Sequence, residues 1–218
     1  MLSSNINYYG ENTTKKIMKT IILIHGLHMH SFHFFFMKKE LKKDSNLDVR
    51  SFDYSSMLVN DKVLDKLNNL VKEVPIGNDI VIVGHSLGGL ISRLYLNRFK
   101  PTRNIKLITL GTPHRGSLIA KRLNNTIFRP LLGRATKVGL IKCIPAWDAS
   151  YPLVSIAGIK KVGVVNLFAK DIDEASDGTV FLSETQVDNA KEHVILEDIH
   201  HSQLIFHPRA IEEVKKWL

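Results

Sequence analysis

The chain's 218 residues, 44% hydrophobic and 23% charged, have the balance of one globular domain long enough to bury a full core. Lys and Arg (30) outnumber Asp and Glu (21), giving a formal charge of +9, but the surplus is mostly scattered lysine and no nucleic-acid-binding signature accompanies it, so that class is set aside. The single cysteine, Cys143, excludes an intramolecular disulfide, and no apolar run approaches the ~20 residues of a membrane-spanning helix.

In chain order, residues 1–18 are polar and aperiodic and are expected to form a mobile segment. They lack the apolar stretch and cleavage site of a secretory signal, which points to a cytoplasmic protein. Thr20–Ile24 is a continuous β-branched run, the pattern of a strand buried on both faces, and it ends at His25-Gly26-Leu27. Phe32 to Leu41 has helical character, with Phe34, Met37 and Leu41 on one face. Leu47–Phe52 alternates as a second strand. Val63, Leu64, Leu67, Leu70, Val71 and Val74 form a helical stripe, stopped by Pro75-Ile76-Gly77-Asn78. The third strand is 79–83, and Ile105–Leu110 is the fourth. Residues 113–150 break the rhythm with three prolines and seven basic residues against one acid, and are expected to form a cap over the strand ends. Leu153–Ala157 and Val162–Phe168 are strand-like in composition, His193–Leu196 is the last strand, and Pro208 opens a final helix. Strands alternating with helices imply a mostly parallel sheet with its site at the carboxyl ends of the strands.

One stretch carries chemistry. Gly84-His85-Ser86-Leu87-Gly88 stands between the third strand and the amphipathic run Leu87, Leu90, Ile91, Leu94, Tyr95. Strand, sharp turn, helix is the setting in which G-x-S-x-G lifts a serine above a sheet, with the helix N-terminus facing any anion that forms there. A serine hydroxyl needs a base, and the base needs an acid to fix its tautomer. In strand-and-helix hydrolases these follow the serine in the order acid, histidine. Asp177 suits the acid, because Gly178 permits the turn that would point it inward; Asp171, Asp173 and Glu174 compete. His201 suits the base, directly before the closing helix, with its neighbour His200 as the alternative. The oxyanion donors would be the amides of Leu87 and Leu27.

His25-Gly26-Leu27, Gly84 to Gly89, Gly111-Thr112-Pro113-His114-Arg115-Gly116-Ser117, Ser176-Asp177-Gly178 and His201-Ser202 together resemble the lipase/esterase branch of the α/β-hydrolase superfamily. The pattern is similar to that of small bacterial acyl hydrolases and, more remotely, PGAP1-like lipases. It covers about residues 19–218. The resemblance implies a minimal α/β-hydrolase fold of about six mostly parallel strands, lacking the superfamily's first two, with helices on both faces and the 113–150 insertion as cap or lid. It also implies Ser86 as nucleophile, Asp177 as acid, His201 as base, Leu27 and Leu87 as oxyanion hole, and no cofactor. His25, Phe32, His85, Thr112 and Pro113 are the expected substrate contacts. The expected substrate is a small-molecule or lipid ester, with a thioesterase, an acyltransferase or a non-catalytic ligand-binding protein as alternatives. The basic 113–150 segment allows peripheral contact with anionic lipid. His25, His28, His30 and His33 have a metal-like spacing but no aspartate within the cluster, so no metal is expected.

Overall fold

The computed structural model describes residues 18–218 apart from 138, 142, 143 and 148. Cys143 and all but Met18 of the expected mobile segment therefore lie outside the described residues. Six strands form one sheet: β1 (Lys19–Ile24), β2 (Leu47–Phe52), β3 (Asp79–His85), β4 (Ile105–Leu110), β5 (Leu153–Gly158) and β6 (Glu192–Leu196). Their order is β2-β1-β3-β4-β5-β6, and every pairing is parallel.

The period-two alternation of the strands sorts their side chains into two cores. On one face Ile22, Ile24, Ile80, Ile82 and Leu107 meet helices α2 (Asp61–Lys72) and α3 (Leu87–Phe99). On the other, Ile21, Leu23, Val81, Val83, Ile108 and Val154 meet Phe34, Met37 and Leu41. Phe34 ends a 3₁₀ turn, Ser31–Phe34, that runs directly into helix α1 (Phe35–Leu41), which carries the other two. The C-terminal helix, Pro208–Lys216, closes this second face with Ala210, Ile211 and Val214. Each fully buried Ile, Leu or Val contributes roughly 1.5–3 kcal/mol, so the doubly covered central strands hold much of the fold's stability. Local signals set the helix ends: Asn60 caps α2 by accepting from the Lys62 amide, and Pro208 occupies the first turn of the last helix.

One strand-like stretch is not a strand. Val162–Phe168 is a loop ending in a single helical turn, Val165–Phe168. Both edges of β5 are already taken, by β4 and β6, so a further strand has no partner there. Instead the Val165 amide donates to the Gly178 carbonyl, and Gly163 and Gly178 lie against each other so closely that a Cβ on Gly163 would fall 2.5 Å from that carbonyl oxygen. Residues 113–150 contain a short helix, Leu118–Asn124, and 3₁₀ turns over Arg129–Lys137. Among the described residues, no helix is long and apolar enough to cross a membrane.

Candidate active site

β3 delivers its chain directly into the turn at Ser86, whose backbone is held at φ 52°, ψ −119°. A non-glycine residue in such a conformation costs about 1–3 kcal/mol and persists only where its surroundings fix it. Here the Ser86 amide donates to the Leu110 carbonyl at 2.8 Å. The Ser86 carbonyl accepts from the Gly89 amide and from Thr112 Oγ1 at 3.0 Å. The flanking glycines are required by contact: a Cβ on Gly84 would lie 2.6 Å from the Gly89 amide nitrogen, and one on Gly88 2.2 Å from the Ile24 carbonyl oxygen. α3 begins at Leu87, so the free amides of its first turn stand beside the serine.

Asp177 and His201 meet beyond β5 and β6. The Asp177 side chain is buried, and its Oδ1 accepts the amides of Thr179 (3.0 Å) and Val180 (2.8 Å). Gly178, at φ 91°, makes the turn that aims the carboxylate inward. Oδ2 lies 2.6 Å from His201 Nδ1. A carboxylate can only accept, so Nδ1 carries the proton and Nε2 is left bare, the tautomer a general base requires. His201 opens a 3₁₀ turn whose Leu204 and Ile205 sink into the core, and its amide donates to the Asp177 carbonyl at 2.9 Å.

The competing residues have other partners. Asp171 is gripped by Arg122 through both carboxylate oxygens, and those hydrogen bonds hold its carboxyl down to about 2. Glu174 accepts from the Ser183 amide, and Asp173 is exposed. His200 does not join the cavity wall that Ser86 and His201 share.

That cavity encloses about 320 Å³. Leu27, Pro113, Leu123, Leu131, Val164 and Val180 give it a largely apolar lining, and His85 forms part of its wall. Three of the expected substrate contacts do not reach it. The His25 ring is fully buried behind the loop, stacked on Tyr54 at 4.3 Å with Nδ1 against the Gly26 carbonyl, and burial lowers its pKa. Thr112 is buried behind the turn, its hydroxyl committed to the Ser86 carbonyl. Phe32 is 67% exposed and stacked on His33 over a separate surface cleft. Nearness in sequence to the Leu27 loop did not bring His25 or Phe32 to the cavity, because the chain turns away on both sides of it.

The contacts of two residues in this region cannot be read from the sequence. His28 has φ 55°; its amide donates to Ser56 Oγ at 3.0 Å and its Nε2 lies 2.7 Å from the carbonyl of Leu131, a residue that lines the cavity with it. Glu184 is buried, accepting the amides of Leu118 (2.5 Å) and Phe181 (2.9 Å), and burial outweighs those donors to push its carboxyl up to about 7. A third was visible in principle: Arg93 is a charge on the inward face of α3. It reaches His114 Nδ1 at 3.2 Å and the Pro145 carbonyl at 2.8 Å. Among the described residues no three His, Cys, Asp or Glu side chains converge as a metal site would require.

Residues 9–132, more than half of the chain, match the family model for lipase, class 3. The chain belongs to the class 3 lipase family. Lipases are carboxylic ester hydrolases, and the matched region contains the Ser86 turn. No curated protein sequence matches the chain. Solved structures resemble it in fold. The mature lipase BlEst2 of Bacillus licheniformis is 19% identical over 92% of this chain and 91% of its own, with a TM-score of 0.68. The metagenomic carboxyl esterase MGS0156 is 15% identical over 94% and 77%, with a TM-score of 0.69. Tomato methylketone synthase I is 14% identical over 92% and 98%, with a TM-score of 0.60.

Proposed function

We propose that this lipase-family protein hydrolyses carboxylic esters through Ser86, His201 and Asp177. The observation that carries the reading is the 2.6 Å His201–Asp177 contact on the wall of the cavity that Ser86 faces from its strained turn. Fold alone does not choose the chemistry, since a methylketone synthase shares it. Family membership and these three side chains narrow it.

In this mechanism Ser86 Oγ attacks the acyl carbon while His201 Nε2 takes its proton. Asp177, already accepting two amides and the Nδ1 proton, stabilises the imidazolium. The developing oxyanion is met by the amides of Leu27 and Leu87. His201 returns the proton to the leaving alcohol, leaving an acyl-enzyme, and then activates water to release the acid. Residues 113–150 act as a cap: Ser117, Ala120, Leu123 and Leu131 supply one side of the cavity.

The substrate class is a lipid-like ester. The cavity wall is largely apolar, and exposed Phe32 lines a neighbouring surface cleft that shares His28 and Met29 with it. Basic residues such as Arg129 and Arg134 in the cap suit an anionic lipid surface.

A p-nitrophenyl ester series from acetate to palmitate tests the reading. Ser86→Ala and His201→Ala should each reduce turnover by several powers of ten, and His200→Ala far less. Full activity in Ser86→Ala would remove the serine mechanism; the opposite ranking of the histidines would move the base to His200.

A further inference from the structure

The residue before the serine, expected from the sequence as a substrate contact, also touches His201. His85 is the last residue of β3 and is fully enclosed. Its Nε2 lies 3.1 Å from the backbone carbonyl of His201, and the two imidazole rings are 4.6 Å apart, tilted by 47°. A carbonyl only accepts, so Nε2 carries the proton. Nδ1 is then a bare acceptor, which agrees with its surroundings: it is buried without a partner and faces Gly26, where a Cβ would come within 2.9 Å. Burial, reinforced by the adjacent His201, lowers the His85 pKa well below its ordinary value, so the ring stays neutral when His201 takes up a proton.

We propose that His85 is a positioning residue for the base. Its Nε2–H fixes the His201 carbonyl, while the Asp177 carbonyl fixes the His201 amide at 2.9 Å and Asp177 Oδ2 fixes the ring. The base is thereby held from both sides of its own backbone, by the acid's turn on one side and by the serine's immediate neighbour on the other. Because His85 and Ser86 are consecutive, any displacement of the serine's strand carries the base's anchor with it. His85 therefore contributes to the cavity wall without needing to contact substrate.

The inference rests on the Ser86–His201–Asp177 reading, and the experiment separates the two. Glutamine places its side-chain amide nitrogen near the position of a histidine Nε2, and asparagine near that of Nδ1. His85→Gln should keep the bond to the His201 carbonyl and His85→Asn should lose it, though both are polar and neither is larger than histidine. On a p-nitrophenyl ester, His85→Asn should lower kcat by about 10- to 100-fold with KM within about twofold, the pattern of a misplaced catalytic group. His85→Gln should stay within about threefold of wild-type kcat. Thermal melts establish that each variant is folded, with His85→Leu replacing the asparagine variant if that one is not. Wild-type kcat in His85→Asn, or an equal loss in both folded variants, overturns the proposal. Ser86→Ala runs beside them: undiminished hydrolysis there sinks the serine reading itself, whatever the His85 variants do.

Discussion

The two sides of the cavity are held by different means. Around Ser86 the tightest contacts at two glycines are backbone against backbone: a Cβ would come within 2.6 Å of a backbone atom at Gly84 and 2.2 Å at Gly88, while Gly89 packs against the Thr112 side chain. On the cap side Gly133 packs on the Met57 backbone and the Arg115 amide donates to the Glu184 carbonyl, but several further attachments run through side chains. His28 reaches the Leu131 carbonyl, Arg122 holds Asp171 and the Phe168 carbonyl, and Glu184 accepts the Leu118 amide. Side-chain contacts can be exchanged one at a time, whereas backbone contacts cannot be relieved by a rotamer change. Reaction geometry and cavity shape are therefore separable in this molecule, and mutations should affect one without the other.

Gly88→Ala is the strongest way to break that contrast. The new methyl group meets the carbonyl of Ile24 at 2.2 Å and that of His25 at 2.6 Å, so α3 must move away from β1. A loss of at least about 3 kcal/mol is expected, together with loss of ester hydrolysis. Gly77→Ala is the control. Its φ of 98° is strained for alanine, but nothing lies within 4 Å of the new Cβ, so it should cost only about 1 kcal/mol and leave turnover intact. Urea denaturation of both variants decides the matter: similar losses would mean that close packing at the turn contributes nothing special.

This difference also explains what could be read in advance. The Ser86 turn is legible because its backbone contacts dictate residue types over a few consecutive positions. The four central strands, β1, β3, β4 and β5, are legible because burial on both faces demands apolar, β-branched runs, and the edge strand β2 because it alternates. The pairing of Asp177 with His201 is consistent with chain order and with the turn at Gly178. Val162–Phe168 misled because its composition suits a strand while both sides of the preceding strand, β5, are taken by β4 and β6. Glu184 was invisible for the same reason: one of its partners, Leu118, is 66 residues away.

Glu184 yields the next largest expected effect, on the cap side. Its carboxyl rises from an ordinary 4.5 to about 7 on folding, chiefly through burial. The folded state thus binds the proton more tightly than the unfolded chain. The penalty for burying this group is absent below pH 4.5, grows as pH rises, and is complete above about pH 7. Several buried histidines, His85 and His114 among them, have lowered values and act in the opposite sense, favouring the fold as pH rises through 6.5. The informative quantity is therefore the stability of Glu184→Gln minus that of wild type. It should become more positive between pH 5 and pH 8, on the order of 2–3 kcal/mol in all. A difference independent of pH would show that Glu184 does not titrate in this range.

The smallest effect on stability should come from His28→Ala, which sharpens the contrast most. The bond from Nε2 to the Leu131 carbonyl lies at the surface, so losing it should cost no more than about 1 kcal/mol. The backbone is unaffected, because the His28 amide still donates to Ser56 Oγ. What changes is the tie between the Leu27 loop and the cap. A loosened cap alters the fit of a long acyl chain more than that of an acetyl group, which does not need the far wall. The ratio of kcat/KM for long against short p-nitrophenyl esters should shift by roughly two- to fivefold in His28→Ala, with little change in melting temperature. An unchanged ratio would mean that the cap wall keeps its shape without this bond. A stability loss as large as that of Gly88→Ala would mean that the two sides of the cavity are not held differently after all.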